Sequence, residues 1–191
     1  MKCFTRSHRL ILSGIVAAAA AFAAPLTSPV HAGIEGPEVP TKIAVEAGNK
    51  VFLVGHAVGA QIYRCNATSG GFAWGPSTPR ANLFDDDGKV IATHFGGPTW
   101  QYKDGSAVVG KRVDGVMVDP TAIPWLLLSK ASTTTGTEGD RLANTTFIQR
   151  TSTTGGLAPA AAECNTNTVG TAVEIPYTAD YYFWKKSGSS S

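Results

Sequence analysis

Residues 81–118 read ANLFDDDGKVIATHFGGPTWQYKDGSAVVGKRVDGVMV, and this stretch decides the fold class. It contains three Asp-Gly pairs, at residues 87–88, 104–105 and 114–115, separated by runs rich in β-branched and aromatic residues. Asp-Gly supplies the positive φ that a tight hairpin turn requires. The stretch therefore predicts a meander of antiparallel strands. The predicted strands are residues 81–84, 89–95, 99–102, 106–113 and 116–118.

Strand-like runs continue on both sides of the meander. On the N-terminal side, residues 50–56 and 60–65 are two such runs separated by Ala57-Val58-Gly59, and on the C-terminal side residues 144–152 and 173–184 follow, the last interrupted at Pro176. Residues 125–128 are apolar throughout, which fits either a buried strand or a helical turn.

Together these runs predict an all-β, single-domain antiparallel β-sandwich, with a β-barrel as the alternative. Short helical turns are expected between the strands, one of them at residues 158–163.

The first 32 residues have the features of a secretory signal peptide. Lys2, Arg6 and Arg9 precede an apolar stretch, and the small residues Val30 and Ala32 mark a cleavage site before residue 33. The predicted mature chain consists of an extended arm (33–41), one β-rich domain (42–184) and a polar tail (185–191). We expect a secreted protein, extracellular or periplasmic, with no membrane span after cleavage.

Charge and composition exclude several classes of protein. Residues 1–32 hold three basic residues and no acidic one, so the remaining chain has 13 basic and 14 acidic side chains and a net charge of −1. A nucleic-acid binder would carry a basic surface, so that function is excluded. With 43% hydrophobic residues the chain is too apolar to be disordered.

Two cysteines, Cys65 and Cys164, remain after the leader. In an oxidising compartment they most simply form one disulfide. The alternative is a pair of separate buried thiols. No metal site is predicted, because no C-x-x-C or H-E-x-x-H spacing occurs, and no cofactor is predicted, because G-x-G-x-x-G and Walker A motifs are absent.

Six strings occur in a fixed order and resemble a known family: GAQIYRC (59–65), HFGGPTW (94–100), DGS (104–106), IPWLLL (123–128), TGG (154–156) followed by Pro159 to Cys164, and IPYTADY (175–181). The family is a secreted bacterial and fungal one, catalogued as a domain of unknown function, and the resemblance spans about residues 40–184. Members often carry the label "malate dehydrogenase", for which this chain has no dinucleotide motif. The resemblance implies secretion and a single domain, and it implies no reaction.

The segment around His94 is the richest in chemistry. Strand alternation and the Gly96-Gly97-Pro98 turn place His94 near Trp100, on whose strand Tyr102 and Asp104 share a face. An imidazole beside an indole and a carboxylate predicts a ligand site or a proton-transfer site, with His94 and Asp104 as weak catalytic candidates. The alternative is a core histidine packed against a core tryptophan.

Aromatic and polar residues outside this segment complete the predicted binding set. Trp74 lies in a Gly/Pro-rich loop, where an indole is available to stack on a sugar or another flat apolar face, or else closes the end of the fold. Gln61 and Tyr63 alternate with Ile62, so either they face the same cavity as Cys65 or they only pack in the core. The expected partner is a carbohydrate or a small apolar ligand.

Three functions remain open at this stage. The first is a non-catalytic binding or cell-surface module, which we favour. The second is a secreted hydrolase or isomerase that uses His94 and Asp104. The third is a structural or stress-related envelope protein without a small ligand.

Overall fold

The computed structural model describes residues 1–2 and 33–188. The signal peptide predicted over residues 1–32 lies, apart from its first two residues, outside the described part of the chain, as do residues 189–191 of the predicted tail. The fold described below is that of the unit Gly33–Ser191.

Nine β-strands and two short 3₁₀ turns make up the regular structure of the described residues, which confirms the predicted all-β fold with short helical turns. The strands are β1 (Asn49–Thr68), β2 (Gly71–Trp74), β3 (Thr78–Phe84), β4 (Val90–Phe95), β5 (Thr99–Tyr102), β6 (Ala107–Val116), β7 (Trp125–Thr134), β8 (Phe147–Gly155) and β9 (Ala172–Lys186). The 3₁₀ turns are Thr41–Ile43 and Ala161–Glu163. The apolar run at residues 125–128, which the sequence left open, belongs to a strand.

All strand pairs are antiparallel, and the pairing returns to its starting strand. β1 pairs with β3 through residues 56–62 and with β9 through residues 49–64, while β3 to β9 pair in sequence order. Eight strands therefore form a sheet that the β1–β9 ladder closes. The ninth strand, β2, pairs only with residues 65–68 at the C-terminal end of β1. A closed sheet of eight strands encloses just enough space for side chains or for one small ligand.

Small residues of β1 lie beside core residues of the neighbouring strand β9, two of which are tyrosines. Gly55, Ala57 and Gly59 of β1 lie opposite Tyr181, Ala179 and Tyr177 of β9 in the strand register. A Cβ atom at Gly59 would lie 2.1 Å from the carbonyl oxygen of Arg80. The predicted break at Ala57-Val58-Gly59 is therefore wrong: these residues continue β1 because small side chains let β3 approach closely.

The Asp-Gly pairs do not all form turns. Gly88 and Gly105 have φ values of 75° and 86° and close the β3–β4 and β5–β6 hairpins as predicted. Asp114-Gly115 instead lies within β6, where the register shifts between Arg112 and Asp114. The predicted turn at 114–115 is wrong because a β-bulge absorbs the pair without reversing the chain.

Pro176 does not interrupt the last strand, contrary to the prediction. β9 pairs with β1 on both sides of this residue, whereas its ladder with β8 begins only at Tyr177. A proline has no N–H to donate, so it is tolerated where a strand lacks a partner on one side.

The segment before β1 is anchored on the outside of the sheet. Ile43 is fully buried, and its carbonyl accepts a 2.7 Å hydrogen bond from the side-chain amide of Gln149 in β8. The ammonium of Lys42 lies 3.1 Å from the carboxylate of Asp114 in β6.

No helix among the described residues has the length and apolar character needed to cross a membrane.

Cys65 and Cys164 form the predicted disulfide, with 5.3 Å between their Cα atoms. The bond joins the end of β1 to the segment between β8 and β9, just after the 3₁₀ turn Ala161–Glu163. It thus fixes a long connection against the same end of the sheet at which the cavity described below opens.

Candidate functional site

A cavity of about 200 Å³ lies at one end of the closed sheet. Its rim is formed by the residues before and at the start of β3 and by the turn between β4 and β5, and its walls are inward side chains of the surrounding strands. The described lining residues are Gln61, Ser77, Thr78, Pro79, His94, Gly97, Pro98, Trp100, Arg112, Leu126, Leu128, Arg150 and Tyr181. The walls are mixed, with apolar rings and leucines between a few polar groups, and they include no Asp or Glu.

His94 and Trp100 are cross-strand neighbours in the β4–β5 hairpin, as the sequence predicts. Their rings are stacked, with centroids 4.2 Å apart and planes inclined by 5°. The edge of Tyr181 packs against both rings, at centroid distances of 5.1 Å and 5.3 Å. The stack is therefore held on several sides, and Trp100 is 1% exposed.

The imidazole of His94 is an uncharged hydrogen-bond acceptor. Its Nδ1 lies 2.9 Å from the carbonyl oxygen of Thr99, and a carbonyl only accepts, so Nδ1 carries the proton and Nε2 has the free lone pair. Burial lowers the pKa of His94 to about 3; the Thr99 hydrogen bond opposes this shift and the charge of Arg150 adds to it. The ring is thus neutral over the physiological pH range.

Asp104 is not among the described residues that line the cavity, and its carboxylate is occupied elsewhere. Oδ1 accepts hydrogen bonds from the Ser106 hydroxyl at 2.6 Å and the Ser106 N–H at 2.8 Å, and Oδ2 accepts one from the Arg141 N–H at 2.9 Å. Desolvation raises the pKa of Asp104, but these hydrogen bonds outweigh it and lower the pKa overall. The carboxylate fastens the β5–β6 turn to the loop before β8.

The other residues predicted for the site are spread over different environments. Gln61 lines the cavity and is 2% exposed. The Tyr63 hydroxyl donates a buried 2.7 Å hydrogen bond to the Gly156 carbonyl. Tyr102 is half-buried, with the Lys103 ammonium 5.7 Å from its ring centre. Trp74 is also half-buried, and its indole N–H donates to the Ala160 carbonyl at 3.2 Å.

The two charged residues of the cavity wall, Arg112 and Arg150, were not among the predicted site residues. Arg112 is the cross-strand partner of Leu128, and Arg150 is the cross-strand partner of Leu126. Because cross-strand partners share a face of the sheet, both arginines lie on the inward face. The Nε and Nη2 atoms of Arg150 donate to the Pro124 carbonyl at 3.1 Å and 2.7 Å. The only sequence signal for an inward arginine was its position two residues after Ile148, because alternate residues of a strand share a face. This signal is easily missed, since arginine is mostly found exposed to solvent.

A family model described as a protein of unknown function, DUF3455, matches residues 46–185. The chain belongs to the DUF3455 family. The match extends from just before β1 to the end of β9 and so includes every residue that lines the cavity. No curated protein and no solved structure matches the chain.

This DUF3455 domain also carries, on its outer surface, one histidine bound between two aspartates. Nδ1 of His56 lies 2.7 Å from the Asp180 carboxylate, and Nε2 lies 2.9 Å from the Asp86 carboxylate. Hydrogen bonds to Asp180 and then Asp86 raise the pKa of His56, against a smaller effect of desolvation. The imidazole of His56 links β1 and β9 to the tip of the β3–β4 hairpin, so the Asp-rich turn is held against the outside of the sheet through Asp86.

Proposed function

We propose that this domain is a non-catalytic binding module that holds one small molecule in the cavity at the end of the closed sheet. The observation that carries the proposal is the cavity itself, whose apolar walls contain a few fixed polar groups. Small-molecule sites have this composition. An engineered protein cavity of about 150 Å³ binds benzene, so a volume of about 200 Å³ suits a molecule of one ring with a small substituent.

The chemistry of His94 supports binding over catalysis. A general base works best when its pKa lies near the working pH, and a histidine whose pKa is about 3 is a weak base at neutral pH. The carboxylate considered as its partner, Asp104, is held by Ser106 and Arg141 instead. The favoured role for His94 is that of a rigid, neutral wall residue that accepts a hydrogen bond.

The aromatic residues support a small enclosed ligand over a flat sugar. Trp100, the indole that lines the cavity, is buried and covered by His94, so it offers no open face to a flat ligand. Stacking on a sugar ring needs one exposed aromatic face.

The proposal also places the domain outside the cytoplasm, where the Cys65–Cys164 disulfide would be stable.

A fragment screen by thermal shift tests the proposal. A ligand that binds only the folded state raises the melting temperature, so single-ring compounds of neutral, anionic and cationic character should be compared. Leu126→Trp fills the cavity and should abolish any shift, whereas Ser132→Trp, an exposed position on the same strand, should retain it. A screen in which no compound stabilises the protein, or in which Leu126→Trp responds like the parent, contradicts the proposal.

A further inference from the structure

The charge of the cavity comes from Arg112 and Arg150. No carboxylate is among the described lining residues, and among the ion pairs of the described chain neither arginine takes part. Asp114, two residues beyond Arg112, is bound by Lys42. Arg112 is exposed, and its charge also acts on Asp114, whereas Arg150 is half-buried and forms no ion pair within the described chain. A charge withdrawn from water without such a partner is unfavourable.

The guanidinium of Arg150 is held in one orientation. Two of its nitrogens, Nε and Nη2, donate to the single carbonyl oxygen of Pro124. Burial raises the pKa of the Tyr181 hydroxyl, and the charge of Arg150 and a side-chain hydrogen bond to it oppose this shift, so the guanidinium also lies against Tyr181. A planar guanidinium fixed in this way has already lost side-chain entropy, and its five N–H donors leave capacity for the oxygens of a carboxylate.

The unpartnered polar atoms in the cavity wall are both donors. Trp100 Nε1 and Gln61 Nε2 are buried and have no hydrogen-bond partner among the described residues. Burial raises the pKa of the Tyr177 hydroxyl, and the nearby Gln61 amide opposes that shift, but no hydrogen bond of acceptable geometry forms between the two side chains. Neither donor atom is exposed, so the wall must shift slightly before a ligand oxygen reaches it. A buried unpaired donor is costly, and an acceptor removes that cost.

We propose that the ligand of this cavity is a compact organic carboxylate whose oxygens are bound by Arg112 and Arg150 and whose apolar body lies against Leu126, Leu128 and Trp100. This inference rests on the proposed binding function and specifies its ligand class. The neutral imidazole of His94 adds no competing charge. Arg112 lies at the exposed side of the cavity and attracts the anion, and Arg150 orients it inside.

Isothermal titration calorimetry of the purified protein with benzoate tests the ligand class. Benzyl alcohol and benzylamine serve as neutral and cationic probes of almost the same shape. Benzoate should bind at least about tenfold more tightly than either, since a hydrogen bond to a charged group is stronger than one to a neutral group. Its affinity should fall as salt is added.

Arg112→Met removes one cation at an exposed position and should leave the fold intact. It should weaken benzoate binding about tenfold. The matched control is Lys111→Met, which removes the same charge from the neighbouring residue of β6, on the opposite face of the strand. This control should bind benzoate as the parent does.

Each outcome has a defined meaning. Equal affinity for benzoate and benzyl alcohol would overturn the carboxylate inference and leave the binding function standing. Equal loss in Arg112→Met and Lys111→Met would show that only net charge matters and would overturn the site. Tighter binding of phenyl phosphate than of benzoate would overturn the choice of carboxylate. Absence of binding by every probe would overturn both the inference and the proposed function.

Discussion

The imidazole of His94 lies face to face with the indole of Trp100. The Nδ1–H group of His94 donates a hydrogen bond to the carbonyl oxygen of Thr99, the residue that precedes Trp100. The same hairpin thus supplies both the ring that covers the histidine and the group that fixes its tautomer. His94 is therefore a buried and firmly held part of the cavity wall.

Replacing His94 with alanine should lower the free energy of unfolding by about 2–4 kcal/mol. The change removes a buried stacked ring and leaves the Thr99 carbonyl without its donor. Urea denaturation of His94→Ala beside the parent measures the effect, with Thr93→Ala, an exposed neighbour on β4, as the control. A loss below about 1 kcal/mol would show that the stack contributes little.

The folding stability should depend on pH through His94. Its pKa is about 3 when folded and about 6.5 when unfolded, so between these values the unfolded chain binds more protons. Stability contributed by the neutral ring is present above pH 6.5 and is lost as the pH falls towards 3. The slope should reach up to about 1.4 kcal/mol per pH unit and should be smaller in His94→Gln. Parallel slopes in the two proteins would contradict the lowered pKa.

His56 should show the opposite pH dependence. Its pKa is raised by Asp180 and Asp86, so its stabilising contribution is complete below the unfolded pKa of about 6.5 and disappears as the pH rises through the folded pKa. An NMR titration of the ring protons measures this pKa directly. Asp180→Asn should lower it more than Asp86→Asn, because the hydrogen bond to Asp180 is the larger cause. Equal effects of the two substitutions would contradict that order.

Adding a methyl group at Gly59 should destabilise the fold by several kcal/mol or prevent folding. The new Cβ would lie 2.1 Å from the Arg80 carbonyl oxygen and 2.5 Å from the Ala81 side chain, so β1 and β3 would have to separate. Gly70→Ala is the matched control, because no atom lies within 4 Å of its Cβ position. Thermal unfolding of both variants checks the prediction, and a Gly59→Ala protein as stable as Gly70→Ala would refute the close approach.

Local turn chemistry explains which strand predictions were confirmed. At residues 87–88 and 104–105 the Asp-Gly pairs adopt the expected turns, because glycine accepts a positive φ without steric cost. At residues 114–115 the same dipeptide lies in a strand, because pairing with β7 and a bulge after Arg112 stabilise an extended chain. The dipeptide permits a turn, and the neighbouring strand decides whether one forms.

The amino-acid sequence by itself determined the all-β class, the disulfide partners and the proximity of His94 to Trp100, because alternation, turn residues and a single cysteine pair act over short distances or leave one choice. Only the tertiary structure decided that β1 and β9 pair and close the sheet. That closure turns Arg112 and Arg150 towards a shared cavity, whereas Asp104 lies in a turn that does not line it. Contacts between strands far apart in the chain produce this arrangement, and no local pattern encodes them.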